Sequence, residues 1–374
     1  TWYLTAHNQG RMAYTAAVCS QVNPITPMNY ALFRDLLFLL PPEAAHHLSL
    51  QSMSWLERFN LSPLLARETL REPVTVMGIE FPNAVGLAAG LDKDARCIDG
   101  LAAMGFGFLE VGTVTPKPQR GNPGPRLFRL PRKRALINRM GFNNDGVDVM
   151  CERIRKARFG GVLGINIGKN AVTPVENALA DYVLCLREVY ALASYVVINI
   201  SSPNTPGLRH LQHETELARL LEGLKSEHTR LVQEHQKTVP LVVKIAPDMS
   251  DEEATRLTRR LKDFEVDGVI VTNTTITRDL VAGEKHGAEL GGLSGEPLRE
   301  LSNHVLSLVA AEAKGDMAII GVGGIMNGAD AAEKIRLGAD LVQMYTGFIY
   351  EGPDLIVDSV KAIQQYRQSG APDT

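Results

Sequence analysis

Eight short apolar runs, each followed by a stretch able to form a helix, constrain this chain more than any other feature. They lie near residues 84 (AVGLAAG), 108 (FLEVGTV), 163 (LGINIG), 196 (VVINIS), 241 (LVVKIAP), 268 (GVIVTN), 318 (AIIGVGG) and 341 (LVQMYTG). Most are rich in Val, Ile and Leu and nearly continuous, as strands buried on both faces are. Strands that alternate with helices pair in parallel through right-handed crossovers. Eight such units predict an α/β fold closed into a parallel (β/α)8 TIM barrel rather than an open doubly wound sheet. A short hairpin, VTVMG with IEFPN, precedes the first run.

Polar residues collect at the C-terminal ends of these runs: GLDK, GTVT, NIGKN, NISSPN, KIAP, TNTT, GVGG and YTG. A parallel barrel gathers those ends at one mouth, where active sites lie. A net charge of −3 without a long basic run argues against a nucleic-acid partner. Cys19, Cys97, Cys151 and Cys185 form no CxxC pair and match no zinc or iron–sulfur spacing, so no metal is expected. No apolar stretch reaches the ~18 residues that a bilayer span needs.

A barrel takes roughly 250 residues, which leaves material at the N-terminus of this 374-residue chain. Residues 1–27 lack both a secretory layout and a clear period, and are expected to be a poorly ordered tail. Residues 28–72 read as a helical extension and 73–374 as the barrel. Within the extension, YALFRDLLFLLP predicts a helix stopped by Pro41 and Pro42. A second helix, rich in large apolar groups, follows from Glu43. Two readings stand: both helices pack on the barrel, or they form an apolar flap that dips into a membrane interface or admits a lipid-soluble substrate.

The late glycine-rich ends, Gly321–Gly324 and Tyr345–Gly347, suit backbone approach to a phosphate, the usual use of the loops after strands 7 and 8. Tight turns without a ligand are the alternative. Lys93 and Lys244 stand at strand ends, where a lysine faces an anion or an electron-rich ring, or else an internal salt bridge. Asn138, Asn143, Asn166, Asn199, Asn204 and Asn273 recur at the same rim. Amides both donate and accept, as a planar ring with carbonyl and N–H edges requires, although any one of them could simply form a turn. Ser202 has no GxSxG setting. From its chemistry alone it reads as a turn cap, since a base role needs a dry site and a proton outlet.

The string NISSPNTPGLRHLQ, with AAGLDKD, EVGTVTPKPQ, RLFRL, INRMGFNN, GINIGKN, VKIAPD, VTNTT, GGLSGEPL, IIGVGGI and MYTGFI, resembles the dihydroorotate dehydrogenase family, colinearly from Met28 to about residue 367. Ser202, where the cytosolic class has cysteine, and the helical extension point to the membrane-associated, quinone-dependent class 2. The resemblance implies oxidation of (S)-dihydroorotate to orotate, with FMN as hydride acceptor and ubiquinone or menaquinone as final acceptor. That is the fourth step of de novo pyrimidine (UMP) biosynthesis. It implies Ser202 as general base at C5, a proton relay with Thr205 as neighbour, and a lid from Pro203 to about Gln212. Substrate positions carried over are Lys93, Asn138, Arg139, Met140, Gly141, Phe142, Asn199, Asn204, Asn273 and Thr274. Those for FMN are Ala89, Gly90, Leu91, Asp92, Lys93, Thr113, Asn166, Asn199, Lys244, Thr272, Gly295, Gly324, Tyr345 and Thr346. A cationic Lys244 near the flavin pyrimidine would favour the anionic reduced form. His46 and Arg129 match positions at the quinone entrance; without the resemblance they read as an ordinary surface pair. The implied setting is peripheral, on the cytoplasmic face of a bacterial inner membrane. Another FMN barrel with a different small substrate, and a non-catalytic phosphate- or flavin-binding barrel, are the rival readings.

Overall fold

The structure, a computed structural model, describes residues 30–67 and 69–370. The tail expected at residues 1–27 lies outside them. Helix α1 (Tyr30–Phe38) is followed by α2 (Pro42–Arg58). Pro42 occupies the first turn of α2, where a missing N–H leaves nothing unpaired, so the proline pair both ends α1 and opens α2. The hairpin is formed by β1 (Val74–Val76) and β2 (Ile79–Phe81), turning through Met77 and Gly78, both at positive φ.

The barrel begins with β3 (Val85–Leu87), α3 (Ile98–Ala103) and β4 (Phe108–Val114). A ribbon of β5 (Leu127–Leu130) and β6 (Ala135–Asn138) then intervenes before α4 (Val147–Lys156). Next come β7 (Val162–Ile167), α5 (Ala178–Val189), β8 (Tyr195–Asn199), α6 (Glu214–His235), β9 (Leu241–Ile245), α7 (Asp251–Asp263) and β10 (Gly268–Val271). The chain continues through β11 (Gly292–Gly295), α8 (Arg299–Ala313), β12 (Ala318–Val322), α9 (Gly328–Arg336), β13 (Leu341–Met344), α10 (Thr346–Glu351) and α11 (Asp354–Gln368).

Strands β3, β4, β7, β8, β9, β10, β12 and β13 close into a ring in that order, every pair parallel. These are the eight apolar runs of the sequence. Aromatic rings fill the lower interior. A Cβ on Gly86 would lie 2.3 Å from the Phe108 ring, and one on Gly164 would lie 2.2 Å from the Tyr195 ring. Glycine at both positions is what admits the rings. Phe81 of the hairpin meets Phe108 edge-on at 5.1 Å, plugging the barrel below.

One sheet was not expected. Strands β5, β6 and β11 form a three-stranded antiparallel sheet, with β6 in the centre. Its third strand, GLSG, has little β propensity and pairs with β6 across more than a hundred residues of chain.

One face of α1 packs on the barrel and the other is open. Tyr30 donates its hydroxyl to the Ile349 carbonyl at 2.8 Å, Arg34 reaches the Tyr350 carbonyl at 3.0 Å, and Phe38 meets Tyr350 edge-on. On the other side Leu32, Leu36 and Leu39 are 65%, 66% and 82% exposed, and Trp55 of α2 is 64% exposed. Such a concentration of large apolar side chains in water is unfavourable and marks a contact surface.

Candidate active site

The C-terminal ends of the strands surround a cleft that, with its mouth, holds about 1100 Å³. Its lining brings together Lys93, Asn138, Met140, Gly141, Phe142, Asn199, Ser202, Asn204, Asn273 and Thr274. Ala89, Gly90, Thr113, Lys244, Thr272, Gly295, Gly324, Tyr345 and Thr346 line the same space.

The amides are held in fixed orientations. Asn199 Nδ2 donates to Thr113 Oγ1 at 2.9 Å and to Asn166 Oδ1 at 3.1 Å. Asn204 Nδ2 donates to Asn138 Oδ1 at 3.0 Å, and Asn273 Nδ2 to Ser201 Oγ at 2.9 Å. The Thr274 N–H donates to Asn273 Oδ1 at 2.7 Å. Dipoles fixed before a ligand arrives need no reorganisation to meet it.

Two lysines supply the positive charge. Lys93 donates to the Gly90 carbonyl at 3.0 Å, and burial pulls its ammonium from 10.5 down to about 8, against an opposing pull from Asp94. Lys244 lies inside β9 with its Nζ 3.9 Å from Glu110 Oε1. Burial lowers its pKa while Glu110 raises it. It therefore serves both alternatives read from the sequence, an internal ion pair and a cation facing the cleft.

Ser202 is buried, and its Oγ accepts the Asn204 N–H at 3.3 Å. The Thr205 hydroxyl, in the same loop, is buried and has no hydrogen-bond partner among the described residues; the Thr274 hydroxyl is in the same state. A buried hydroxyl left unpaired costs about 1–3 kcal/mol, so both are poised to bond a ligand or water. Arg209 fastens the loop: its guanidinium reaches the Ser201 and Thr274 carbonyls at 2.9 Å each and the Asp248 carboxylate at 2.8 Å.

At the ends of β12 and β13 the backbone is bare. Gly323 and Gly324 have φ of +115° and +76°, and a Cβ on Gly324 would fall 2.4 Å from the Arg299 backbone. Thr346 Oγ1 donates to Ser294 Oγ at 2.8 Å beside them. Only glycine leaves these amide groups accessible, which suits a phosphate.

Some residues named from the resemblance stand elsewhere. Asn166 is fully buried behind Thr113 and Asn199, where it orients both. Leu91 and Asp92 face a second, polar cavity beside α2; the Asp92 carboxylate accepts the Arg96 and Cys97 N–H groups at 2.8 Å. Arg139 turns outward, 2.6 Å from Glu289 and over the Phe128 ring. His46 lines the polar cavity together with Lys93. Burial, reinforced by Lys93 and His47, lowers its imidazole to about 3, so it is neutral at pH 7. Arg129 donates to the carbonyls of Leu37, Phe38 and Leu40 and covers the Phe38 ring at 4.4 Å. It clamps the turn between α1 and α2.

Sequence reading overlooked Glu110, Ser294 and Gln343. Glu110 carried a signal: it interrupts FLEVGTV just as Lys244 interrupts LVVKIAP, and a charge within a buried strand demands a partner. Cys97, Cys151 and Cys185 are buried free thiols, and the described residues contain no metal-binding cluster.

The dihydroorotate dehydrogenase family model matches residues 72–366. The chain belongs to this family. A dihydroorotate dehydrogenase (quinone) of Azotobacter vinelandii is 56% identical over 90% of this chain and 97% of its own length. One from Pseudomonas fluorescens is 57% identical over 89% of this chain and 98% of its own. Among solved structures, Eimeria tenella DHODH in complex with ferulenol superposes with a TM-score of 0.80 at 39% identity, covering 88% of this chain and 92% of that one. Dihydroorotate dehydrogenases are flavin-dependent oxidoreductases, and the described residues include no helix long and apolar enough to cross a membrane.

Proposed function

We propose that this dihydroorotate dehydrogenase oxidises (S)-dihydroorotate to orotate using FMN and passes the electrons to a respiratory quinone, within pyrimidine biosynthesis. The observation that carries this is the convergence of Lys93, Ser202, Lys244, Asn138, Asn199, Asn204 and Asn273 on one cleft beside the glycine cradle, while Asn143 lines the second cavity.

The residues fit the cofactor. Gly295, Gly324 and Thr346 would take its phosphate, while Thr113, Lys244, Thr272 and Tyr345 would surround the ring. Bound there, FMN supplies the two-electron acceptor for the hydride that leaves C6 of the substrate. The Lys93 ammonium balances the substrate carboxylate. Asn138, Asn199, Asn204 and Asn273 offer amide N–H groups to ring carbonyls and amide oxygens to ring N–H groups. Ser202 Oγ takes the C5 proton as its own proton leaves through a relay that ends in solvent, with the Thr205 hydroxyl of the same loop as a neighbour, so that the C5=C6 bond forms as both hydrogens leave. Burial of Ser202 excludes water, and the loop from Pro203 to Gln212, tied down by Arg209, acts as the lid.

Residues 28–72 form the quinone-access extension and 73–374 the catalytic barrel. The exposed leucines of α1 and of the turn after it, with Trp55 of α2, rest on the cytoplasmic face of the inner membrane. A quinone enters beside the α1–α2 turn, past His46 and Arg129. Quinone use and a membrane setting are supported by the quinone-dependent bacterial relatives and by the apolar outer face of α1.

Anaerobic addition of dihydroorotate should bleach the flavin absorbance, and quinone, but neither fumarate nor NAD, should restore it. A flavin that stays oxidised, or that fumarate or NAD reoxidises as well as quinone, overturns the reading.

A further inference from the structure

Glu110 stands at the centre of the barrel with no solvent exposure. Its carboxylate accepts from three other strands: Asn166 Nδ2 of β7 at 2.8 Å, Gln343 Nε2 of β13 at 2.6 Å and the Tyr195 hydroxyl of β8 at 3.4 Å. Lys244 of β9 lies 3.9 Å away. So costly a burial requires a purpose or a full set of partners, and this carboxylate meets polar groups from four other strands.

Two consequences follow from chemistry. An ionised carboxylate only accepts, so it turns the Gln343 NH2 inward. The same NH2 donates to the Tyr195 hydroxyl at 3.3 Å. Gln343 Oε1 must then point away; it is buried, has no partner among the described residues, and its residue lines the cleft. Second, the charged or titratable groups beside Lys244 or lining the cleft with it, among the described residues, are Glu110 of β4, Tyr195 of β8 behind Glu110, Lys93 from the loop after β3 and Tyr345 after β13. Of these only Glu110 favours the ammonium over the neutral amine.

We propose that Glu110 is a positioning residue for the flavin pocket. It aims the Gln343 carbonyl into the cleft and keeps Lys244 protonated, so that the imide edge of the flavin pyrimidine meets one acceptor and one cation. This rests on the flavin reading above. Glu110 touches no ligand itself and acts through Gln343 and Lys244.

The test uses FMN-loaded holoenzyme and the visible spectrum of the bound flavin between pH 6 and 9. Relative to the wild type, Glu110→Gln should gain a one-proton spectral transition, or move one to lower pH, that Glu110→Gln/Lys244→Met lacks. The Lys244→Met control separates this transition from any titration of Lys93. The dissociation constant for FMN should rise about tenfold in Glu110→Gln, equivalent to one lost hydrogen bond. Glu110→Asp, which keeps the charge but shortens its reach, should show a weaker form of the same transition, and it carries the test alone if Glu110→Gln does not fold. A purely structural Glu110 would change stability and leave the titration unmoved. If the wild type holds FMN and neither variant shows the transition, the proposal is wrong while the flavin reading stands. A wild type that takes up no FMN overturns the flavin reading itself.

Discussion

Lys93 stands in the cleft with its ammonium depressed to about 8 by burial. A bound carboxylate favours the protonated form, so orotate should bind with constant affinity below pH 8 and about tenfold more weakly for each pH unit above it. Spectral titration of the holoenzyme with orotate measures this. Lys93→Met should bind orotate roughly 10- to 100-fold more weakly, with the pH dependence gone, as loss of a hydrogen bond to a charged group implies. At Ser202 the expectation differs. Ser202→Ala should keep its FMN and bind orotate, yet reduce the flavin roughly 10²- to 10⁴-fold more slowly at neutral pH, the usual contribution of a general base. Stopped-flow absorbance decides it, and an unchanged rate would remove Ser202 from the base role. What could be read of these residues in the sequence was their gathering, not their bonding. The lysines and asparagines fell at strand ends that a parallel barrel collects. That Asn166 serves Thr113 and Asn199 from behind, that Arg139 faces Glu289, and that Asp92 bonds two backbone N–H groups depend on side-chain direction. Spacing along a loop does not encode that direction.

Among the elements, the barrel strands were the most legible, because each is buried on both faces and so nearly free of polar residues. The β5–β6–β11 sheet was not. Its strands are short, β11 has glycine at both ends, and its pairing spans most of the barrel, so no local period reports it. The pair α1 and α2 was legible as helices, whereas the division of α1 into a packed and an open face emerged only with α10 in place beneath it. Placing charge on the open face should separate the two half-reactions. Leu36→Glu with Leu39→Glu should weaken binding to anionic lipid vesicles and raise the KM for a long-chain quinone. Flavin reduction by dihydroorotate should stay within twofold of wild type, since neither side chain approaches the cleft lining. Vesicle co-sedimentation and the two steady-state assays measure these effects; unaltered vesicle binding would leave the exposed leucines without a membrane role.

For the molecule as a whole, the cleft is lined from nearly every strand of the ring, so whatever fills it braces the complete barrel. FMN at about a hundred times its dissociation constant should add roughly 2.7 kcal/mol to folding by mass action alone. Scanning calorimetry of the protein stripped of flavin should show a Tm several degrees lower, recovering in proportion to the logarithm of added FMN. A Tm indifferent to FMN would mean that the cleft does not bind it in the folded state.

The antiparallel ribbon ties distant parts of this design together. Its outer strand carries the guanidinium that grips the turn between the two N-terminal helices, and its middle strand ends in the amide that meets Asn204. Paired residue by residue, the strands cannot slide independently. Tilting the ribbon at the helical turn would therefore disturb the Asn138–Asn204 bond in the cleft. The cleft and the turn between the N-terminal helices share this ribbon, so a change on one side is answerable to the other.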